Sequence, residues 1–475
     1  MVAENRRLSI DDLMRKIGKI GEEENVAVFA VGGFVRDKIL GKESQEIDFV
    51  VVGDGPAFAK KARRQLKGRG LAVFSKFGTA SFLLGDYKFE FVSARSESYR
   101  SDSRKPIVEK SDLTADLARR DFTINTLAFR VQGDGFGEII DPYNGRRDIK
   151  KKIIRTPQEP ERTFSEDPLR IMRAARFASQ LGFKIEPTTM DAMEKEKTRM
   201  SIVSQERITD EFLKILSHPK PSIGLGILQR TGVLDILFPE LAALAGVEQK
   251  DEFHHKDIFE HTMKVLDNLA ECSENLLLRF TALVHDIGKP SVKRFVEGTG
   301  WTFHGHELVG MWMLKSICHR LRLPRQFYQY SQKLTRLHMR PIHLIGQEVT
   351  DSAIRRLIVQ AGDNLEDLMT LCRADITSGN PRRVKQHLAN FDFVAKRMEE
   401  VKEKDRLRAF QSPVRGDEIM ELCGIEPGPM VGRLKKMIED AILDGQIPNE
   451  HDASYTYLMT IKDDVLKSTF SSGKE

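Results

Sequence analysis

The N-terminal third takes its architecture from AVFAVGGFVRDKILGKESQEIDFVVVGDG, residues 27–55. The apolar run from Asn25 ends in Gly32–Gly33, and VGGFVRD (Val31–Asp37) reads as a strand passing into a helix. Paired glycines let a backbone approach a phosphate, with N–H groups of the helix start as donors; they are also the residues of an ordinary turn. Arg36 can pair with Asp37 beside it or bind an anion. EIDFVVVG (Glu46–Gly53) is a second strand, and alternation puts Glu46 and Asp48 on one face. Two carboxylates so placed repel each other unless a cation lies between them. Such hard oxygen ligands suit Mg²⁺, with phosphates and waters completing its shell. The plainer alternative is a strand end exposing two acids.

Outward from this unit, a helix over Ser9–Glu24 precedes it, and LAVFSKFGTASFLLGDYKFEFVSAR (Leu71–Arg95) adds strands with turns at Gly78 and Gly85–Asp86. Ser93–Asp112 is charged, serine-rich and poorly periodic, as in a solvated loop. From about residue 160 helical periodicity takes over, so the class changes near residue 150 and the chain is α+β. The expected domains are 1–155, an α/β head; 156–250, a helical neck; 251–380, a histidine-rich region; and 381–475, a helical tail with a long polar helix at its start.

The 475 residues carry 75 Lys+Arg against 70 Asp+Glu, a net charge of +5 with local basic clusters, which is compatible with RNA binding. Cys272, Cys318, Cys372 and Cys423 are far apart and form no CxxC, so neither a zinc knuckle nor a disulfide scaffold is expected. The start lacks the apolar core of a signal peptide, and no apolar run approaches the ~18 residues of a membrane span. The expected setting is the cytoplasm, without a membrane partner; the oligomeric state is left open.

Two further stretches carry chemistry. LARRDFTINTLAF (Leu117–Phe129) sets Arg119, Arg120, Asp121 and Asn125 among apolar residues at helical spacing. The arginines can hold a triphosphate or an RNA backbone; Asp121 and Asn125, at i and i+4, can accept ribose hydroxyls. FSEDPLRIMRAARF (Phe164–Phe177) opens like a helix, with Ser165 as cap, Glu166 and Asp167 after it and Pro168 in the first turn. Asp167, Arg170, Arg173 and Arg176 recur every three residues, facing away from the side of Ile171, Ala174, Ala175 and Ala178. Asp167 and Arg170 side by side are an ordinary intrahelical ion pair or a paired acceptor and donor for a ligand.

GGFVRD, EIDFVVVG, RRDFTIN, DPYNGRRD, EDPLRIMRAARF and SQERITDEFLKIL, in this order, resemble the motifs of the class II (bacterial-type) tRNA nucleotidyltransferase and poly(A) polymerase family. The resemblance spans about residues 25–240. It implies a polymerase-β-like nucleotidyltransferase head followed by an all-α body. It also implies catalytic carboxylates on Glu46 and Asp48 that bind Mg²⁺, with Glu46 standing where the family pattern has Asp. Gly32, Gly33, Arg36, Arg119, Arg120, Asp121, Asn125, Asp167, Arg170, Arg173 and Arg176 become the nucleotide-binding set, and Ser93–Asp112 a lid that helps switch from C to A. EDPLR matches the family's base-selecting motif. A carboxylate facing the amino group of cytosine or adenine, and a guanidinium facing N3 or N1, fit both bases. Uracil and guanine present the reverse pattern, at a cost of about 1–3 kcal/mol for each polar group left unpaired. The activity implied is template-independent addition of C, C and A to tRNA 3′ ends from CTP and ATP, with the acceptor arm as partner. Alternatives are a poly(A) polymerase, an enzyme adding only CC or only A, a hydrolase whose head only binds RNA, and a non-catalytic RNA-binding protein.

His261, the pair His285–Asp286, His306, His338 and Asp375 form a second constellation whose imidazoles and carboxylates suit Mn²⁺, Fe²⁺ or Ni²⁺. H…HD…D resembles the HD phosphohydrolase superfamily, which implies an HD domain in the body holding a second divalent metal and acting on phosphate esters at RNA ends.

Overall fold

The computed structural model describes residues 9–100, 103–110, 112–251, 254–298, 300–345, 349–378, 380–405 and 412–470. The chain divides into two compact units, Met1–Ala243 and Leu244–Glu475. The first unit begins with a helix, Ile10–Glu23, closed at its N-terminus by a Ser9/Asp12 capping box. The strands that follow are β1 (Ala27–Val31), β2 (Glu46–Val52), β3 (Arg69–Phe74), β4 (Thr79–Leu84), β5 (Tyr87–Ser93), β6 (Arg95–Arg100), β7 (Ser103–Lys110), β8 (Ala128–Arg130) and β9 (Ile139–Ile140).

Seven of these form one mixed sheet in the order β3-β4-β5-β2-β1-β8-β9. β2 runs parallel to β5 and antiparallel to β1. Alternation divides the central strands. Phe49 of β2 and Phe89 and Phe91 of β5 point to one side, where Phe82 and the helix Gly55–Leu66 cover them; the Phe49 and Phe91 rings stack at 4.8 Å. Burying each such ring contributes about 1.5–3 kcal/mol. Glu46, Asp48, Lys88 and Glu90 are left on the other side, in register as Glu46↔Lys88 and Asp48↔Glu90.

Two expectations for the head change. Within Ser93–Asp112, read as a loop, β6 and β7 pair as an antiparallel ribbon from Arg95↔Lys110 to Arg100↔Ser103. RRDFTIN does not continue a helix: the helix Leu113–Ala118 stops there, and only a single 3₁₀ turn, Thr123–Asn125, follows.

The helical part of the first unit also differs at EDPLR. Ser165 is not a cap; it lies at the end of a helix, Pro160–Glu166. Asp167 is extended (φ −138°, ψ 97°), because the residue before a proline is driven out of the helical region, and a new helix runs Leu169–Leu181. Ile171, Ala174, Ala175 and Ala178 are its buried side, as the spacing predicts. The helix Gln205–Ser217 packs beside it.

The second unit is mainly helical. The body is not purely α: two-stranded pairs occur at Glu248–Asp251 with His254–Asp257 and at Arg294–Val296 with Gly300–Thr302. The polar helix runs Pro381–Asp405, and the C-terminal helices close a small core around Leu434, Ile438 and Leu458. No helix among the described residues is long and apolar enough to cross a membrane.

Candidate active site

All thirteen residues singled out between Gly32 and Arg176 line one cleft of about 620 Å³ in the first unit. A larger cleft, of about 1250 Å³, lies between the first helix and the β4–β5 turn and contains none of them.

At one end of the site is the carboxylate face. Solvent reaches Asp48 through the cleft, yet the surrounding protein withdraws enough water to push its carboxyl above the ordinary value. Arg120 opposes that rise and Glu46 adds to it. Glu90, next to Asp48 across the sheet, is raised by burial and by Asp48. Sequence reading missed Glu90; its signal was the alternation of YKFEFVS, which sets it opposite the phenylalanines. Burial is the first cause of both rises and neighbouring acids add to it; a bound divalent cation relieves both, and these oxygen ligands are of the kind that suits Mg²⁺. Glu46 is the outlying member. It extends into solvent and accepts an ion pair from Lys88 at 3.1 Å.

Above this face, Gly32 has φ 71°, and a Cβ there would lie 2.9 Å from Nη1 of Arg120 and 3.8 Å from Oδ2 of Asp48. Only glycine keeps that corner open. Arg119 and Arg120 converge on the buried Asp116, with contacts of 2.6 and 3.1 Å. Asp116 was also missed: within DLARR it reads as a helix-surface acid, but it aims both arginines.

The rest of the nucleotide-binding set is more committed to protein than expected. Arg36 makes two bonds to Asp37, at 2.8 and 2.9 Å, and donates to Oδ1 of Asn125 at 2.9 Å. Of its two expected roles it fills the protein pairing. Asp121 and Asn125, expected to be free for ribose hydroxyls, bond each other at 2.9 Å, and Arg173 holds the second oxygen of Asp121 at 2.6 and 2.8 Å. Burial pushes the Asp121 carboxyl up, but Arg173 and the Asn125 amide outweigh it and bring it down to about 2. A buried carboxylate needs such partners, which is why this one is not an open acceptor. Arg176 clamps Glu211 of the neighbouring helix at 2.7 Å.

At the other end, Asp167 accepts from the Leu169 N–H at 3.3 Å and from Arg207 at 3.2 Å. Arg207, within SQERITDEFLKIL, was not singled out by sequence reading. Arg170 does not stand out from the helix as its spacing implied: it is 7% exposed. It donates to the carbonyls of Thr163 at 3.2 Å and Arg119 at 2.5 Å. The helix break at Asp167 explains this, since Arg170 falls in the first turn of the new helix and its guanidinium folds back over the end of the preceding one. Two of its five N–H donors are used in these bonds.

The second unit contains a separate cavity of about 720 Å³ that includes His261, Asp286, His306, His338 and Asp375. His285 is fully buried beneath them. The helix Leu276–Val284 ends at His285, and Gly288 lets the chain turn: a Cβ there would meet the His306 carbonyl at 2.3 Å. Nε2 of His261 lies 2.9 Å from Asp375 and 3.5 Å from Oδ2 of Asp286; Nε2 of His306 lies 3.2 Å from Oδ1 of Asp286 and 3.2 Å from Nε2 of His338. Nδ1 of each ring is engaged elsewhere, at Thr377 for His261, the Ala282 carbonyl for His285, the Phe303 carbonyl for His306 and the Thr335 carbonyl for His338. Carbonyls accept Nδ1–H and so direct the Nε2 lone pair inward, the arrangement of metal-ligating histidines. The buried Nε2 of His285 has no well-aligned hydrogen bond. Burial opposes charge on His285, but Asp286 and Asp375 raise it to about 10, so the carboxylates draw positive charge into the site; burial pulls His338 down to about 4 and favours its neutral form, with Nε2 facing that of His306. Lys289 pairs with Oδ2 of Asp286 at 2.7 Å.

A sheet whose polar face gathers carboxylates beneath a glycine corner and paired arginines defines a nucleotidyltransferase head, joined here to a helical body with an HD-type histidine site. Family models agree in order along the chain: the poly(A) polymerase head domain over residues 28–155, a probable RNA and SrmB-binding site of polymerase A over 182–244, and the HD domain over 258–375. The A-adding tRNA nucleotidyltransferase of Deinococcus radiodurans is 30% identical over 432 residues, 89% of this chain and 93% of the relative. The multifunctional CCA protein of Methylococcus capsulatus is 34% identical over 364 residues, 73% of this chain and 81% of the relative. A solved CCA-adding enzyme in complex with ATP superposes with a TM-score of 0.63 at 25% identity, covering 95% of each chain. This chain belongs to the tRNA nucleotidyltransferase and poly(A) polymerase family.

Proposed function

We propose that this chain adds C, C and A to tRNA 3′ ends from CTP and ATP. The observation that carries the reading is the single cleft joining the carboxylate face to the EDPLR segment. The RNA-binding family model over residues 182–244 and the CCA- and A-adding relatives support tRNA as the acceptor. Asp48, Glu90 and Glu46 are the groups to hold Mg²⁺, which when bound supplies Lewis acidity at the α-phosphate and lowers the pKa of the attacking hydroxyl. Arg119 and Arg120, aimed by Asp116, take the triphosphate beside Gly32. The tRNA 3′-oxygen forms its bond to the α-phosphorus, the bond to the bridging oxygen breaks, and pyrophosphate leaves. Asp167 accepts from the base amino group, exchanging Arg207 for it, and Arg170 donates to the ring nitrogen through its uncommitted N–H groups.

The histidine site is read as a metal-dependent phosphohydrolase acting on RNA ends. One oxygen of Asp286 faces His261 and His285, the other His306 and His338, so the donors suffice for a divalent ion at this second centre. Four free cysteines accord with a reducing compartment such as the cytoplasm.

The test of the main reading is incorporation into tRNA truncated before C, C and A, with CTP alone, ATP alone and both. Dependence of ATP incorporation on prior CTP incorporation supports it. Since an A-adding enzyme aligns along nearly the whole chain, the contrary result is ATP incorporation only into tRNA already ending in CC.

A further inference from the structure

The chain has two tryptophans, Trp301 and Trp312, and both are exposed. Trp301 lies on the hairpin Arg294–Val296/Gly300–Thr302, directly opposite Phe295. Their rings meet edge to face at 5.3 Å, yet Phe295 remains 65% and Trp301 42% exposed. An aromatic pair that completed a core would be covered. This one stands on a two-stranded arm, with the Lys293 ammonium 4.4 Å from the Trp301 ring centroid. The strand Gly300–Thr302 then runs straight into Phe303, His304 and Gly305, which line the histidine cavity, and into the ligand candidate His306. Within the cavity, the Lys289 ammonium lies 5.8 Å from the Phe303 ring centroid.

We propose that the Phe295–Trp301 hairpin is a base-stacking platform that seats an unpaired nucleotide of single-stranded RNA, so that its terminal phosphate enters the histidine cavity. The inference rests on the phosphohydrolase reading of that cavity and specifies how its substrate is held. The partner is identified by chemistry. Exposed flat rings stack with any nucleobase, because every base has a π-face, and such contacts carry no sequence preference. Lys293 and Arg294 beside them are cations for the backbone, and the chain connects the platform to the cavity within two residues. Trp301 therefore decides which phosphate esters are used, and the histidines and carboxylates perform the hydrolysis.

The experiment uses the full chain with Mn²⁺ or Ni²⁺ and two probes: an oligoribonucleotide with a 3′-terminal phosphate, and glycerol 2-phosphate, which has no base. Phosphate release is the readout. Trp301→Ala and Phe295→Ala should each raise KM for the oligoribonucleotide about tenfold or more, as expected for one lost stacking contact, while kcat and all constants for glycerol 2-phosphate stay within about twofold. Equal effects on both probes, or no effect on either, would overturn the proposal. Binding is read separately in Trp312→Phe, where Trp301 is the sole tryptophan. Saturable fluorescence quenching by the oligoribonucleotide, absent with glycerol 2-phosphate, supports the platform, and lack of quenching overturns it. If the unaltered protein hydrolyses neither probe, the phosphohydrolase reading fails and quenching alone decides the platform.

Discussion

Glu46 and Lys88 show how the length of one side chain propagates. A glutamate at the head of β2 reaches far enough to pair with Lys88 across the sheet, whereas Asp48, with a shorter side chain, stays within the cleft. A divalent ion at Glu46 competes with that ammonium. Lys88→Ala should therefore lower the Mg²⁺ concentration giving half-maximal nucleotide addition, measured by titration at fixed CTP. Glu46→Asp should remain active, and Glu46→Ala should raise the Mg²⁺ concentration giving half-maximal addition by ~10- to 100-fold, the range for disturbed metal shells. Addition by Glu46→Ala at the unaltered rate across the titration would remove Glu46 from the metal set and leave Asp48 and Glu90 to hold the ion. At the other end of the cleft, Asp167→Ala should abolish the preference for CTP and ATP over UTP and GTP. Unchanged preference would show that the base is read elsewhere.

At the scale of elements, Asp121 ties the turn after the helix Leu113–Ala118 to the helix Leu169–Leu181 through Arg173. Its folded pKa of about 2 lies below the ordinary 3.8. A depressed carboxylate contributes stability that is present above its unfolded pKa and is lost as pH falls through the folded one. The contribution is of order 2 kcal/mol. Asp121→Asn should lower stability in denaturant at neutral pH, and the gap from the unaltered protein should close between about pH 4 and pH 2; a gap independent of pH would place the ion pair's effect elsewhere. The β6/β7 ribbon makes a second prediction at this scale. Replacing it by a short Gly-Ser turn should spare C addition and impair the change to A, read from products stalled at CC.

These same elements show what the sequence could and could not convey. The strand–glycine–helix–strand order, the face shared by Glu46 and Asp48 and the buried side of Leu169–Leu181 follow from local periodicity, and the structure has them. The partners of buried charges do not follow from it. Arg170 turns to carbonyls of Thr163 and Arg119, and Asp116 gathers two arginines. Those pairings depend on which elements pack together, which no local pattern encodes. The break at Asp167 was legible in Asp-Pro, but the apolar spacing on either side of it gave the same helical signal. Glu90 was legible only once the β2/β5 register was known.

Across the whole molecule the two sites fall in different compact units and use different donor chemistry, oxygen in the head and nitrogen with oxygen in the body. Changing both His285 and Asp286 to Ala should abolish metal-dependent phosphoesterase activity and leave nucleotide addition intact, with circular dichroism verifying the fold. Loss of both activities in a folded variant would show that the units do not act independently. In the proposed function the protein itself, with no nucleic-acid template, directs an ordered C, C, A addition and then stops. The measurement that tests it most directly is the 3′-end sequence of tRNA, initially lacking those residues, after incubation with all four nucleoside triphosphates. Ends of C, C and A with no U or G and no further extension are expected; runs of A, termination at CC, A added only to ends already bearing CC, or incorporation of U or G would rule out ordered, protein-directed addition.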